Sequence, residues 1–188
     1  MNKRILIKII FWGLLLIPAC ESKITERRYA DYINDPENKI LQKIKIGDVQ
    51  ASMKWMPDDY RRILNRRDSS KSNKEETGFY YFNAKFEKSE GDKPDKNKIM
   101  YLDFDMQNDF VMLSNGDSLL PSICQKIENG VPGSYEYLLA FEEPVSSGIE
   151  KDFSVIYNDK VFGIGTIAFV YNYSDIKKIP KLKSSLTQ

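Results

Sequence analysis

The chain has 188 residues, of which 28 are lysine or arginine and 27 are aspartate or glutamate, and it contains no histidine. The absence of histidine excludes Ser-His-Asp and Cys-His catalysis, histidine-ligated zinc and an imidazole switch near neutral pH. The balanced charge gives no reason to expect nucleic acid or an anionic membrane surface as a partner, and nothing in the composition indicates a cofactor or a metal.

The first 19 residues have the pattern of an export signal. Three basic residues precede an apolar run from Ile9 to Ile17, as in the charged and hydrophobic regions of signal peptides. A membrane-spanning helix needs about 20 apolar residues, so this run is too short to cross a bilayer. We therefore expect residues 1–19 to be removed after export.

The apolar run ends in Ile17-Pro18-Ala19-Cys20, which resembles the lipobox of bacterial lipoproteins. The resemblance implies that Cys20 carries acyl chains such as palmitate and becomes the first residue of the mature chain. Two or three acyl chains give a stable membrane anchor, whereas one binds only marginally. Glu21 is not the aspartate associated with inner-membrane retention, so the outer membrane is favoured. The periplasmic face and the cell-surface face of that membrane remain alternatives. An ordinary cleavable signal followed by a chance cysteine is the alternative.

Lipidation of Cys20 leaves Cys124 as the only free thiol, so no intramolecular disulfide is expected. Cys124 lies in a segment with a strand pattern, residues 123–127, where a packed and unreactive thiol is expected. A catalytic nucleophile is the alternative.

The mature chain is predicted to begin with a lipidated tether and a short helical element at 20–43, followed by a β-sandwich-like domain at 44–188. Every second residue from Val49 to Trp55 is apolar, which predicts a half-buried strand. One helix is predicted at 57–67, because a proline stands in its first turn and two aspartates lie at the positive end of the helix dipole.

The rest of the domain has the pattern of short strands joined by turns. Asn115-Gly116 between two apolar runs is the strongest hairpin signal, and charged loops are predicted at 68–77 and 88–98. Eight or nine strands of this kind predict an antiparallel β-sandwich, Ig-like or similar, with an open barrel as the alternative. The predicted strands lie at 41–46, 49–55, 79–86, 99–106, 110–113, 118–127, 137–142, 153–157 and 164–171.

Two acidic segments are candidates for chemistry. The run from Asp103 to Asp109 resembles a calcium loop, but an EF-hand needs glycine at position six and glutamate at twelve, where this chain has Asn108 and Ser114. Asp103 is therefore expected on the exposed face of a strand and Asp109 in a turn, with another type of calcium site as the alternative. Glu142-Glu143 would suit glycoside hydrolysis only with two acids about 5–10 Å apart across a cleft.

Four short motifs are Asp35-Pro36-Glu37-Asn38, Lys54-Trp55-Met56-Pro57-Asp58-Asp59, Leu102-Asp103-Phe104-Asp105-Met106 and Asn158-Asp159-Lys160-Val161-Phe162-Gly163. Together they resemble an uncharacterised family of lipoproteins from Bacteroidota. The resemblance implies a lipid-anchored envelope protein and implies no reaction. Our first hypothesis is a non-catalytic binding or assembly module for another envelope protein, a peptide or a glycan. The alternative is a histidine-free, carboxylate-based hydrolase acting on envelope glycan.

Overall fold

The computed structural model describes residues 23–67, 78–88, 94–143 and 151–183. The predicted export signal, the lipidation residue Cys20 and the loop predicted at 68–77 lie outside these residues. Within them, the chain forms nine strands in two antiparallel sheets, together with short helices. The predicted β-sandwich is therefore confirmed.

The larger sheet has five strands in the order β1-β2-β3-β7-β6, and the smaller sheet has four in the order β5-β4-β8-β9. All pairings between neighbouring strands are antiparallel. The strands of the larger sheet are β1 (Leu41–Ile46), β2 (Val49–Trp55), β3 (Phe79–Lys88), β6 (Ile123–Ile127) and β7 (Ser134–Glu142). Those of the smaller sheet are β4 (Phe110–Ser114), β5 (Asp117–Leu119), β8 (Phe153–Asn158) and β9 (Thr166–Tyr171).

Four α-helices and two single 3-10 turns surround the sheets in the described part of the chain. None of these helices is both long and apolar enough to span a membrane. The helices are α1 (Glu26–Asn34), α2 (Asp58–Arg67), α3 (Lys96–Phe104) and α4 (Tyr173–Ile176), and the 3-10 turns are Pro36–Asn38 and Met106–Asp109.

The alternating pattern of β2 has the predicted effect on packing. Val49, Ala51, Met53 and Trp55 all point into the core and are buried. The turn before β2 lies at Gly47, whose φ of +60° favours glycine, and β1 and β2 pair directly across it. The helix predicted at 57–67 is α2.

The hairpin predicted at Asn115-Gly116 is confirmed, because both residues have positive φ, of 57° and 89°, as a type I′ turn requires. The single strand predicted at 118–127 is wrong. Strand β5 ends at Leu119, and β6 begins at Ile123 in the other sheet. Pro121 stands between them and has no N–H to continue a ladder, so the chain changes sheets there.

The strand predicted at 99–106 is also wrong, because this segment contains helix α3. The side chain of Asp95 caps the helix by accepting a hydrogen bond from the Lys98 N–H at 2.8 Å. The predicted apolar face is divided by the helix: Leu102 is buried, whereas Met100 and Phe104 are exposed. Helix α3 also occupies the end of the loop predicted at 88–98, of which residues 89–93 lie outside the described part of the chain.

Aromatic side chains fill the core in two clusters, one towards each end of the strands. Trp55, Phe82, Phe153 and Tyr171 meet with ring centroids 5.1–6.0 Å apart. We call this end the amino-terminal pole. Burying each such ring stabilises the fold by roughly 2 kcal/mol.

The second cluster lies at the opposite end of the sheets, which we call the α3 pole. Phe86 packs against Phe110, Tyr157 and Phe162, with centroids 4.5–6.3 Å apart. The Phe162 ring is stacked on the Phe86 ring, so the loop between β8 and β9 closes this end of the core.

The first described residues belong to the amino-terminal pole. Ile24 forms an isolated parallel bridge with Leu182, and both side chains pack against the core. Helix α1 buries Tyr29 and Ile33 in the core. The folded structure therefore includes much of the segment 20–43.

Candidate functional site

The α3 pole contains a fully buried carboxylate. Asp109, at the end of the 3-10 turn that follows α3, is 0 % exposed. Its Oδ1 atom accepts a hydrogen bond from the Tyr101 hydroxyl at 2.7 Å and lies 2.9 Å from the Lys160 ammonium. Lys160 also donates to the Tyr101 hydroxyl at 3.3 Å. Side chains from α3, from the 3-10 turn and from the loop between β8 and β9 therefore meet at one carboxylate oxygen.

The other oxygen of Asp109 is buried, and no donor from the described residues lies within hydrogen-bond distance of it. An unpaired buried oxygen is costly, so the pairing at Oδ1 has to compensate for it. The prediction that Asp109 belongs to a turn is correct, but its burial and its partners were not predicted. Lys160 follows it by 51 residues, so no local pattern could reveal the contact.

Cys124 faces the same region from β6. Burial, reinforced by the negative charge of Asp109, raises the pKa of the Cys124 thiol to about 12. The thiol is therefore protonated at neutral pH, and only a thiolate is a good nucleophile. The site lacks an activated cysteine at Cys124.

The loop between β8 and β9 is held by Asp159. Its carboxylate accepts hydrogen bonds from the Tyr157 hydroxyl and from three backbone N–H groups, of Val161, Phe162 and Ile164, at 2.6–2.9 Å. Burial opposes the charge, but these hydrogen bonds outweigh it and keep the pKa of Asp159 below its usual value. Asp159 therefore fixes the loop that carries Lys160 to Asp109.

Helix α3 is fixed to the sandwich on its inner side. The buried Tyr137 hydroxyl donates to the Leu102 carbonyl at 2.8 Å, and the Lys126 ammonium lies 2.6 Å from the Asp103 carboxylate. Burial is the largest cause of the raised pKa of Tyr137, so this hydroxyl stays protonated as a donor. These contacts, together with Tyr101, hold the helix in one position.

The outer side of α3 carries large apolar side chains in solvent. Phe104 is 73 % exposed, Met100 is 52 % exposed and Ile99 is 44 % exposed. Met100 and Phe104 are four residues apart and therefore share a helix face. We call these three residues the α3 apolar surface. It was not predicted, because the segment was assigned to a strand whose apolar face was expected to be buried.

The acidic candidates from the sequence are separated in the structure. The Asp103 carboxylate pairs with Lys126 and that of Asp109 with Lys160, so the two acids face different ammonium groups. Glu142 accepts from Ser122 at 3.4 Å, and the backbone N–H of Glu143 donates to a carbonyl beside β3. Across the described ranges, no group of three or more side chains is arranged to hold a metal ion.

The predicted lipidation residue Cys20 lies outside the described residues, three positions before Lys23. The α3 apolar surface and the buried Asp109 lie at the other pole.

No protein-family model and no curated protein matches the chain. Two solved structures are similar to it. One is a novel protein of unknown function from Burkholderia pseudomallei K96243, with a TM-score of 0.42, 8 % identity and coverage of 88 % of this chain and 98 % of the other. The second is a DUF4426 family protein from Pseudomonas aeruginosa PAO1, with a TM-score of 0.37, 10 % identity and coverage of 71 % and 93 %.

Proposed function

We propose that the chain is an envelope lipoprotein, anchored in the outer membrane by acyl chains on Cys20, and that its β-sandwich is a non-catalytic binding module. The observation that supports the binding role is the α3 apolar surface, with Phe104 exposed at 73 %. Its contact partner would be another envelope protein that offers an apolar pocket.

The position of the surface supports this role. Lys23 follows Cys20 by three positions, and a fully extended chain of that length reaches about 10 Å. Strand β3 has ten residues and runs from the amino-terminal pole towards the α3 pole over roughly 30 Å. A lipid on Cys20 would thus hold the amino-terminal pole near the membrane and leave the α3 pole free to project away from it.

The chemistry of the surface favours a protein partner over a glycan. Transferring a side chain such as Phe104 or Met100 into an apolar pocket contributes roughly 2 kcal/mol each, and aromatic anchors commonly dominate protein interfaces. Sugars offer mainly hydroxyl groups, which these side chains cannot bind by hydrogen bonds. Because α3 is already fixed to the sandwich by Tyr137 and Lys126, binding would cost little ordering entropy.

The anchor is tested by replacing Cys20 with alanine in the full-length chain. The variant should lose acyl labelling and accumulate as uncut or soluble material, whereas the wild type should be labelled and sediment with membranes. Persisting label and membrane retention in the variant would show that Cys20 is not the lipidation site.

The binding role is tested by capture from the protein's own membranes with two matched variants. Phe104→Ser removes the most exposed apolar side chain of α3, and Val170→Ser removes one of similar type, 49 % exposed, on the distant edge strand β9. A stoichiometric protein partner should be retained by the wild type and Val170→Ser and lost by Phe104→Ser. Equal recovery by both variants, or a glycan in place of a protein, would contradict the proposal.

A further inference from the structure

Four exposed basic side chains surround the start of the described chain. They are Lys23, Arg27, Arg28 and Lys183. None of them forms an ion pair with another residue in the described ranges. We call this set the anchor-side basic cluster.

The two ends of the described chain bring the cluster together. Ile24 bridges in parallel to Leu182, and the Lys183 N–H donates to the Ile24 carbonyl at 3.0 Å. In this parallel pairing Lys23 lies beside Lys181 and Lys183 lies beside Thr25, so Lys23 and Lys183 are diagonal neighbours across the two segments, although 160 positions separate them in the sequence. Helix α1 starts two residues after Ile24 and carries the two arginines in its first turn.

The acid in the first turn of α1 is already neutralised, so it does not cancel the charge of the cluster. Glu26, in the first turn of α1, pairs with Arg66 of α2 at 2.6 Å. The chain as a whole has nearly equal numbers of acidic and basic side chains, which gave no reason to expect an anionic surface as a partner. The local distribution of charge at the amino-terminal pole differs from the near balance of the whole chain.

We infer that the anchor-side basic cluster binds anionic phospholipid headgroups of the leaflet that carries the acyl chains of Cys20. The inference rests on the proposed lipid at Cys20. Lys23 follows that residue by three positions, a reach of about 10 Å. The Debye length at 0.1 M salt is also about 10 Å, so a headgroup layer at that distance attracts the cluster without full screening.

Contact with headgroups would set the orientation of the domain. Each lysine or arginine near an anionic leaflet strengthens attachment about fivefold, so four of them favour one face of the domain strongly over the others. The amino-terminal pole is then held against the bilayer. The α3 apolar surface, at the opposite pole, is held away from it.

The experiment uses the lipidated protein purified from membranes and reconstituted in two kinds of vesicle, phosphatidylcholine alone or with phosphatidylglycerol. Lysines are acetylated with a neutral reagent, and each rate is read by mass spectrometry. Lys23 and Lys183 should react at least about fivefold more slowly in the anionic vesicles at 0.1 M salt, and 1 M salt should remove the difference. Lys43 and Lys45, exposed on β1, are internal controls that should react equally in both.

Charge-reversal variants distinguish binding by the anchor-side basic cluster from slow reaction that arises only because the lysines lie close to the anchor. Arg27→Glu combined with Arg28→Glu should restore the reaction rate of Lys183 in anionic vesicles, whereas Lys43→Glu combined with Lys45→Glu should leave it slow. Equal rates for Lys183 in both vesicles, or slow reaction that persists after reversal of the arginines, would overturn the inference. The intact mass of the same sample distinguishes this failure from a missing lipid, which would refute the proposed anchor.

Discussion

Replacing Asp159 with asparagine tests how the α3 pole is held together. In the wild type, one carboxylate oxygen accepts from Tyr157, Val161 and Phe162, and the other accepts from the Ile164 N–H at 2.6 Å. Asparagine has one acceptor oxygen, so its NH2 group must face the Ile164 N–H, donor against donor. A buried N–H without an acceptor costs about 1–3 kcal/mol, and loss of the charge weakens the three remaining hydrogen bonds.

We expect Asp159→Asn to lower the free energy of unfolding by about 2–3 kcal/mol. The assay is urea unfolding followed by fluorescence of Trp55, a buried residue and the only tryptophan after the predicted signal. With an m-value of about 2 kcal/mol/M, the midpoint should fall by roughly 1 M. The control Asp117→Asn, on the exposed end of β5, should stay within about 0.2 M of the wild type. An Asp159→Asn midpoint equal to that of the control would refute the role given to Asp159.

The same variant predicts a pH dependence. The pKa of Asp159 in the folded state lies below its usual value of 3.8, because the loop hydrogen bonds outweigh the cost of burial. Its contribution to stability is therefore fully present above the unfolded pKa and is lost as the pH falls through the folded pKa. The difference in unfolding free energy between wild type and Asp159→Asn should be constant from pH 5 to 7 and shrink below about pH 4. A difference that grows on acidification would contradict this reasoning.

Three further predictions concern other parts of the fold. Gly133→Ala should lower the free energy of unfolding in urea by at least about 1 kcal/mol more than Gly130→Ala does. Both glycines have positive φ, but only a Cβ at position 133 would meet a backbone oxygen, that of Lys88, at 2.8 Å. Cys124 should be alkylated by iodoacetamide at pH 8 at least about 100-fold more slowly in the folded chain than in urea, since its raised pKa leaves little thiolate, and comparable rates would disprove its burial. Gln42→Ala should speed amide hydrogen exchange on β9. The Gln42 side chain donates to the Val170 carbonyl at 2.7 Å and accepts from the Val170 N–H at 3.2 Å on that edge strand. Unchanged exchange would show that this contact is not made in solution.

A strand could be predicted from the sequence where all the residues on one of its faces share the same surroundings. In β2 the apolar residues from Val49 to Trp55 all enter the core, so a period of two indicated both the strand and its buried face. Helix α2 could also be predicted from the sequence, because Pro57 and the two aspartates after it favour the first turn of a helix.

The same reasoning failed for α3, because a period of two in the apolar residues does not exclude a helix. Its start depends on Asp95, which caps the helix, and its apolar residues are divided between the core and solvent. A helix that exposes Met100 and Phe104 breaks the rule that apolar residues are buried, and the periodicity argument relied on that rule. This exception is the feature on which the proposed binding role rests.

The buried polar group at the α3 pole was beyond sequence reasoning for a different reason. Asp109 was expected in a turn, where aspartate is common, and it does lie there. Its burial depends on Tyr101 and Lys160, which reach it only after α3 and the loop between β8 and β9 have packed on the sheets. Long-range contacts of this kind leave no periodicity in the sequence.

The most direct test of the account is the mass of the amino-terminal peptide of the protein isolated from the membranes of its host. We predict a peptide that begins at Cys20 and carries two or three acyl chains, with residues 1–19 absent. A peptide with an unmodified Cys20, or one that retains residues 17–19, would contradict the lipid anchor and with it the orientation proposed for the α3 apolar surface.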